Sequence, residues 1–225
     1  MTKGYFVTGT DTGVGKTLIA CGLLHAFSAA GLTAVGMKPI AAGAEPHSHG
    51  LVNEDVELLA AASNIAAPRE LVNLYCFQPP IAPHIAAAKA GVVIDLARIE
   101  RSFRALASLA DAVVVEGVGG FRVPLGPGTD TAQLAAQLAL PVILVVGMRL
   151  GCINHALLAA DAITVRGLQL AGWVANHVDP DMTAADENVE ALKARLPASL
   201  LARVPFAPEP MYHAIGPLFA RAVSR

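Results

Sequence analysis

Cysteine and charged residues are scarce in this sequence. The three cysteines, Cys21, Cys76 and Cys152, show no CxxC spacing, which argues against both a disulfide framework and a thiolate zinc site. We interpret them as small apolar residues of a reduced compartment. Charged residues make up 15% of the chain and the net charge is −2, so the broad basic surface that attracts a nucleic-acid backbone is missing. We expect a small-molecule ligand and no nucleic-acid partner.

Long apolar runs are also missing. The longest, residues 138–148, contains Pro141 and is too short to cross a bilayer, so it predicts a buried strand rather than a membrane helix. The sequence starts MTKGYFVT, without the charged start, apolar middle and cleavage site of a signal peptide. We therefore expect a cytoplasmic protein with no membrane partner.

The composition suits one compact core. Hydrophobic residues make up 54% of the 225 residues, far from the composition of disordered chains. This length accommodates one α/β domain and is slightly short for two domains of ordinary size. We expect residues 1–225 to form a single domain.

Short β-rich runs alternate with longer runs of helical period. This alternation predicts a doubly wound α/β fold, a mostly parallel sheet of about seven strands with helices on both faces. Runs such as DAVVVEG and PVILVVG are apolar at every position, as expected for strands that are buried on both faces. The predicted strands are residues 5–8, 33–37, 112–115, 142–146, 170–175 and 201–204. The predicted helices are residues 17–30, 55–62, 95–109, 154–165 and 183–194.

Three segments rich in glycine and proline follow the ends of predicted elements. They are residues 39–50, 78–83 and 117–128. In an open α/β sheet, the loops at the carboxyl ends of the strands form the binding crevice. We expect the functional residues in and beside these loops.

A glycine-rich loop joins the first predicted strand to the first helix, where residues 9–17 read GTDTGVGKT. Glycines allow backbone N–H groups to turn towards a phosphate, and the helix presents its positive end to it. Lys16 can reach the β and γ phosphates, and Thr17 can bind magnesium. The spacing departs from GxxxxGKS/T, since Thr10 stands at the first glycine position and Gly9 precedes it. We predict a nucleotide-binding loop and a P-loop NTPase-like domain.

Phosphoryl transfer also requires acidic residues that hold a metal ion beside the phosphates. Glu116 ends a predicted buried strand and is the candidate for this role. Asp55, in the run NED, lies near a helix start, where it could either bind the metal or favour the helix N-terminus. Lys38 ends the second strand beside Pro39, where it could be solvated or could stabilise negative charge on a reacting carboxyl or carbamate group.

Seven motifs occur in one order along residues 5–205. They are GTDTGVGKT, MKPIAAG, NED, APHIAA, VEGVGG, VVGMRLGCINH and GWVAN. In order and spacing this series resembles the dethiobiotin synthetases. The resemblance implies a homodimeric, magnesium-dependent ligase of biotin biosynthesis. Such an enzyme carboxylates 7,8-diaminononanoate with CO2 and closes the ureido ring through a carbamate phosphate, converting ATP to ADP and phosphate.

The resemblance also implies the residues of the site. Catalytic roles fall to Thr12, Lys16 and Lys38, and magnesium ligation falls to Thr17, Asp55 and Glu116. The implied ATP-binding residues are Gly13, Val14, Gly15, Lys16, Thr17, Leu18, Asp55, Glu116, Gly117, Val118, Gly119, Asn176, His177, Pro205, Phe206 and Ala207. The implied substrate-binding residues are Thr12, Lys38, Ala42, Gly151, Cys152, Ile153 and Asn154, the last four in the active site of the partner subunit.

Two positions depart from the family pattern, and one pair of histidines falls outside it. Ala42 replaces a Ser or Thr, which removes a hydroxyl contact to the substrate. Gly13 stands where an acidic residue is common. His47 and His49 lie in a Gly- and Pro-rich loop without a third metal-binding partner, so we interpret them as solvated.

Two other classes of protein use a similar loop. Amide-forming synthetases of the cobyrinate type usually carry a glutaminase domain, for which 225 residues leave no room. Switch ATPases that partition chromosomes typically have an additional lysine early in the loop and basic or amphipathic surface segments. Here positions 10 and 11 are Thr10 and Asp11, and no basic amphipathic tail is visible.

Overall fold

The computed structural model describes residues 3–48 and 50–224, so His49 lies outside the described residues. The strands are β1 (Lys3–Gly9), β2 (Ala34–Met37), β3 (Ile40–Ala42), β4 (Glu45–His47), β5 (Gly50–Val52), β6 (Tyr75–Phe77), β7 (Ala112–Gly120), β8 (Pro124–Gly126), β9 (Thr129–Asp130), β10 (Val142–Met148), β11 (Leu170–His177) and β12 (Leu200–Val204). The helices are α1 (Lys16–Ala29), α2 (Glu54–Ala62), α3 (Arg69–Val72), α4 (Pro83–Lys89), α5 (Leu96–Leu109), α6 (Thr131–Leu138), α7 (Cys152–Val165), α8 (Ala185–Lys193) and α9 (Ala220–Val223), with a 3-10 helix at Gly216–Phe219.

The main sheet is parallel throughout, with the strand order β12-β11-β10-β1-β7-β2. It contains six strands rather than about seven, and these six are the predicted ones. Further strands form separate two-stranded sheets, among them β3 with β6. Pro39, which has no N–H to donate, separates β3 from β2. The predicted doubly wound fold class is confirmed.

Both faces of the sheet are buried. Phe6 and Val7 are neighbours on β1, so their side chains point to opposite faces. Phe6 belongs to the apolar cluster that includes Leu106 of α5, whereas Val7 belongs to the cluster that includes Leu23 of α1. This arrangement explains why the strand sequences are apolar at every position.

The five predicted helices are present with small shifts at their ends. The prediction missed α6, which begins with a capping box: Asp130 accepts from the backbone N–H of Gln133, and the Gln133 side chain accepts from the backbone N–H of Asp130. Residues 117–120, expected in a loop, instead continue β7. The apolar run 138–148 contains β10, which is buried throughout as predicted. Among the described residues, no helix is long and apolar enough to span a bilayer.

The C-terminal segment packs along α1. A Cβ atom at Gly22 would lie 2.7 Å from Cγ1 of Ile215 and 2.9 Å from Cε2 of Phe219, so the lack of a side chain permits this close approach. The Tyr5 hydroxyl donates a hydrogen bond of 2.6 Å to the carbonyl of Ala222. These contacts keep the chain that follows β12 close to α1.

Candidate active site

The register of the sheet brings the predicted lysine and glutamate together. Met37 of β2 pairs with Val115 of β7 in parallel, so Lys38 and Glu116 follow at the same edge. On its other side, β7 pairs with β1, in which Val7 is opposite Glu116. The phosphate loop follows β1, and the predicted residues therefore meet at the carboxyl edge of the sheet.

The loop after β1 has the backbone of an anion-binding turn. Gly13 and Gly15 have φ angles of 72° and 91°, in the left-handed region that favours glycine. Helix α1 begins directly after Gly15, with no side-chain cap and no acidic residue in its first turn. Its first N–H groups thus remain available to an anion such as phosphate.

Lys16 is 7% exposed, and its Nζ donates a hydrogen bond of 3.0 Å to the carbonyl of Asp11. Burial, followed by the nearby Lys38 ammonium, lowers the pKa of Lys16 to about 8. A negatively charged ligand would stabilise the protonated form of this lysine.

Oxygen atoms of three predicted magnesium ligands converge. The hydroxyl of Thr17 lies 2.7 Å from Oδ1 of Asp55 and 3.0 Å from Oε1 of Glu116. Glu116 is 1% exposed, and its Oε2 atom has no hydrogen-bond partner among the described residues. Hydroxyl and carboxylate oxygens are suitable ligands for Mg²⁺, which usually takes one or two carboxylates and completes its shell with water and phosphate oxygens. The described residues contain no cluster of three or more His, Cys, Asp or Glu side chains suited to a metal.

Lys38 is paired with both carboxylates. Its Nζ donates to Oδ2 of Asp55 at 2.8 Å and to Oε1 of Glu116. Burial disfavours the Lys38 ammonium, but the two carboxylates outweigh burial and raise the pKa of Lys38. Burial also raises the pKa of Glu116. At Asp55, burial acts in the same direction, but the Lys38 charge, hydrogen bonds from Lys38 and Thr17, and the Lys16 charge together outweigh it and lower the pKa.

A cavity of about 920 Å³ opens at this edge of the sheet. Its volume is within the range of small-molecule sites. The predicted site residues that line it are Thr12, Gly13, Gly15, Lys16, Thr17, Leu18, Lys38, Ala42, Asp55, Glu116, Val118, Gly119, Asn176, His177, Pro205, Phe206 and Ala207.

Six predicted residues lie outside the lining. Val14 is buried among core residues, and Gly117 lies beside the Phe6 ring. The segment predicted to bind the distal end of the substrate, at the start of α7, is also outside; it comprises Gly151, Cys152, Ile153 and Asn154. The predicted substrate-binding role of that segment therefore stays a prediction.

Asn176 connects the end of β11 with the phosphate loop. Its Nδ2 donates a hydrogen bond of 2.8 Å to the carbonyl of Val14. A Cβ atom at Gly15 would lie 2.2 Å from that nitrogen, so the loop and the asparagine approach each other closely only because residue 15 is glycine. The side chain is thereby held at the wall of the cavity.

Part of the cavity wall was missed by the sequence predictions. Glu54 and Leu58 of α2 are among the missed residues, whereas residues 80–83 belong to the segment 78–83 that was expected at the crevice and lie before or at the start of α4. The APHIAA motif pointed to residues 82 and 83 without giving them a role. The C-terminal chain contributes Pro210, Met211, Tyr212, Ala214 and Ile215. No periodic pattern in that segment signals its position, which depends on packing against α1.

The site combines a phosphate loop at the centre of a parallel sheet with an acidic residue on the neighbouring strand, and both line one cavity. These features define a P-loop nucleotide-binding protein. The family model described as "AAA domain" matches residues 3–212. A curated relative from Aromatoleum aromaticum, "ATP-dependent dethiobiotin synthetase BioD", is 58% identical over 90% of this chain and 90% of its own length. A relative of the same name from Nitrosospira multiformis is 58% identical over 92% of this chain and 89% of its own length. The chain belongs to the dethiobiotin synthetase family.

Solved structures confirm the fold at low sequence identity. The MinD cell division protein of Aquifex aeolicus has a TM-score of 0.61 and 16% identity, covering 100% of this chain and 98% of its own. A ParA family ATPase from Chlorobium tepidum has a TM-score of 0.58 and 10% identity, covering 99% of this chain and 97% of its own. At these identities, the likeness concerns the fold alone.

Proposed function

We propose that this chain is an ATP-dependent dethiobiotin synthetase whose active site is the cavity at the carboxyl edge of the sheet. The enzyme is a ligase that joins CO2 to 7,8-diaminononanoate and closes the ureido ring, releasing ADP and phosphate. The observation that supports this site best is the convergence of Lys16, Lys38, Thr17, Asp55 and Glu116 on one cavity. Residues 1–225 would form one P-loop NTPase-like domain, located in the cytoplasm where ATP is available.

The reaction begins with a carbamate, formed when one amine of the substrate adds to CO2 and loses a proton. A carbamate oxygen attacks the γ phosphorus, and the bond between that phosphorus and ADP breaks. The second amine then attacks the carbamate carbon, loses a proton and expels phosphate. The backbone N–H groups of the loop and the Lys16 ammonium bind the transferred phosphoryl group.

Lys38 is suited to stabilise the carbamate and its phosphate. Its raised pKa keeps the ammonium protonated at neutral pH, and its burial strengthens its interaction with a developing negative charge. Thr12 lines the same cavity at the loop and would hold the substrate there. At Ala42, backbone groups would replace the hydroxyl contact that other family members make.

Magnesium would be held by Thr17, Asp55 and Glu116. When bound, Mg²⁺ neutralises charge on the terminal phosphates during transfer. The unpartnered, buried Oε2 of Glu116 supports this assignment, since a buried carboxylate oxygen is rarely left without a partner. Asp55, with its lowered pKa, remains an anion that can bind the cation.

The base of ATP would lie against the end of β11 and the chain after β12. Asn176 and His177 line the cavity there, as do Pro205, Phe206 and Ala207, which follow the neighbouring strand. Phe206 is 43% exposed, and its ring offers an apolar surface to a nucleotide base. Leu18 adds an apolar contact from α1.

A homodimer completes the proposal. Residues 151–154 would bind the distal carboxylate of the substrate in the partner's site, using N–H groups at the start of α7, which has no side-chain cap. Leu150 and Leu158, which flank this segment, are 95% and 60% exposed, so the surface beside it is apolar enough for a protein contact. Replacing both leucines with aspartate should convert a dimer into a monomer in light scattering.

A coupled assay for ADP release tests the function. We expect ADP to form only when 7,8-diaminononanoate and CO2 are both present, with dethiobiotin detected by mass spectrometry in equal amount. ADP release that did not depend on the diamine would instead support a switch ATPase.

A further inference from the structure

Asp11 and Arg149 form an ion pair at the rim of the active site. Arg149 Nη2 donates to Oδ2 of Asp11, which belongs to the phosphate loop and lines the cavity. Arg149 follows β10 and directly precedes the turn into α7. Neither residue has a role in the proposed function so far.

Asp11 is the residue through which this pair can act on Lys16. Its carbonyl accepts the hydrogen bond of 3.0 Å from Lys16 Nζ. Its Oδ1 accepts a hydrogen bond of 2.7 Å from the backbone N–H of Thr12. The Asp11 side chain therefore connects Arg149, which lies outside the loop, to two parts of the loop. One is the peptide whose carbonyl holds the Lys16 ammonium, and the other is Thr12, which is expected to hold the substrate.

The end of β10 contacts the start of the loop at further points. The backbone N–H of Thr10 donates to the carbonyl of Val145 at 3.0 Å, and the backbone N–H of Gly147 donates to the Thr10 hydroxyl at 3.4 Å. These bonds fix the position of Thr10. The peptide that follows is held by the Asp11 side chain instead. Arg149 is in turn fixed because its carbonyl accepts a 3.0 Å hydrogen bond from the N–H of Cys152.

We propose that Asp11 and Arg149 are positioning residues of the ligase reaction, which orient the loop so that the Lys16 ammonium meets the transferred phosphoryl group. The proposal rests on the proposed function for its reaction and adds these two residues to it. Both side chains are nearly half exposed, so the pair contributes at most about 1 kcal/mol to folding. Its effect should therefore be seen in the reaction rather than in stability.

Kinetics of Arg149→Gln, Asp11→Asn and the double variant test the proposal. We expect kcat to fall roughly tenfold in each single variant, because small displacements of catalytic groups reduce rates strongly. KM for ATP should stay within about twofold, since the backbone N–H groups of the loop still bind the ground state. The double variant should be no slower than the slower single variant, as expected when two residues act through one contact. Arg149→Lys should recover most of the lost rate.

The matched control is Arg104→Gln, which removes an exposed ion pair with Glu100 on α5, away from the cavity. This variant should keep the wild-type kcat, and all variants should keep their circular dichroism spectrum. A wild-type kcat in Arg149→Gln would overturn the proposal. So would a double variant in which the fall in kcat equals the product of the falls in the two single variants. Failure of the wild-type protein itself to form dethiobiotin would instead reject the proposed function.

Discussion

The ammonium nitrogen of Lys38 lies 2.8 Å from Oδ2 of Asp55, and the same nitrogen donates to Glu116. The side chains of Lys38 and Glu116 are 5% and 1% exposed, whereas that of Asp55 is 39% exposed. Charges this deeply buried are tolerated because they are paired. The ion pair between Lys38 and Glu116 links the end of the edge strand β2 to β7, next to the phosphate loop.

Replacing Lys38 with glutamine should impair both stability and catalysis. The Glu116 carboxylate would lose its buried cation, which costs about 3 to 5 kcal/mol of unfolding free energy. The turnover rate should fall by about 10² to 10³, because a charge-stabilising donor is lost. Urea unfolding and initial rates measure the two effects.

Lys193→Ala is the control for this stability effect. Lys193 and Glu190 form an ion pair of 3.0 Å on the surface, with side chains 46% and 58% exposed. Its loss should cost less than about 1 kcal/mol. If Lys38→Gln and Lys193→Ala lowered the free energy of unfolding by the same small amount, burial of the Lys38 pair would have no energetic consequence.

Lys16→Ala should abolish turnover and leave the fold intact. The lowered pKa of Lys16 means that the folded protein disfavours its charge, so removal of the ammonium should not lower the melting temperature. ATP affinity, measured calorimetrically, should fall because the terminal phosphates lose their cation. Lys89→Ala, at an exposed position of α4, should retain full activity. An unfolded Lys16→Ala protein would contradict this account.

Gly15→Ala should weaken ATP binding by roughly tenfold or more, because its methyl group would lie 2.2 Å from Nδ2 of Asn176 in the undisturbed structure. Gly31→Ala provides the comparison: its φ is also positive, at 78°, but no atom lies within 4 Å of the added methyl. Both variants bear the backbone cost of about 1 to 2 kcal/mol. Equal ATP affinities would refute the close contact between the loop and Asn176.

The cysteines should differ in reactivity. Burial, followed by the charges of Glu116 and Asp55, raises the pKa of Cys21 to about 12, so its thiolate is scarce at pH 8. Cys152 is buried, whereas Cys76 is only partly buried; burial raises the pKa of Cys76 too, so its greater exposure is what distinguishes it. A disulfide-exchange reagent should therefore label one thiol quickly in the native protein and all three in denaturant. Cys76→Ser should remove the fast reaction; its persistence would place another thiol at the surface.

Much of the fold follows from local patterns. The apolar run DAVVVEG predicted β7, although the strand continues past Glu116 to Gly120, and GTDTGVGKT predicted the turn between β1 and α1. The spacing of the residues left open whether Asp55 favours a helix N-terminus or binds a metal ion. Only the folded chain shows that its carboxylate lies 2.7 Å from the Thr17 hydroxyl.

Contacts between distant segments were not predictable in the same way. The loop residue Asp11 and Arg149 are 138 positions apart, and the sequence gives no sign that they pair. The chain around Met211 and Tyr212 has no periodic pattern, and its place in the cavity wall depends on the packing of Ile215 against Gly22. Such contacts depend on the tertiary arrangement and not on local preference.

The origin of the oxygen in the released phosphate tests the central claim most directly. The experiment is a single turnover that starts with CO2 carrying heavy oxygen and is quenched before CO2 exchanges oxygen with unlabelled water. In the carbamate phosphate, the oxygen atom between carbon and phosphorus then comes from CO2. The account predicts one heavy oxygen atom in each phosphate released together with dethiobiotin. Unlabelled phosphate would show that ATP phosphorylates water instead of the carbamate, and would contradict the account.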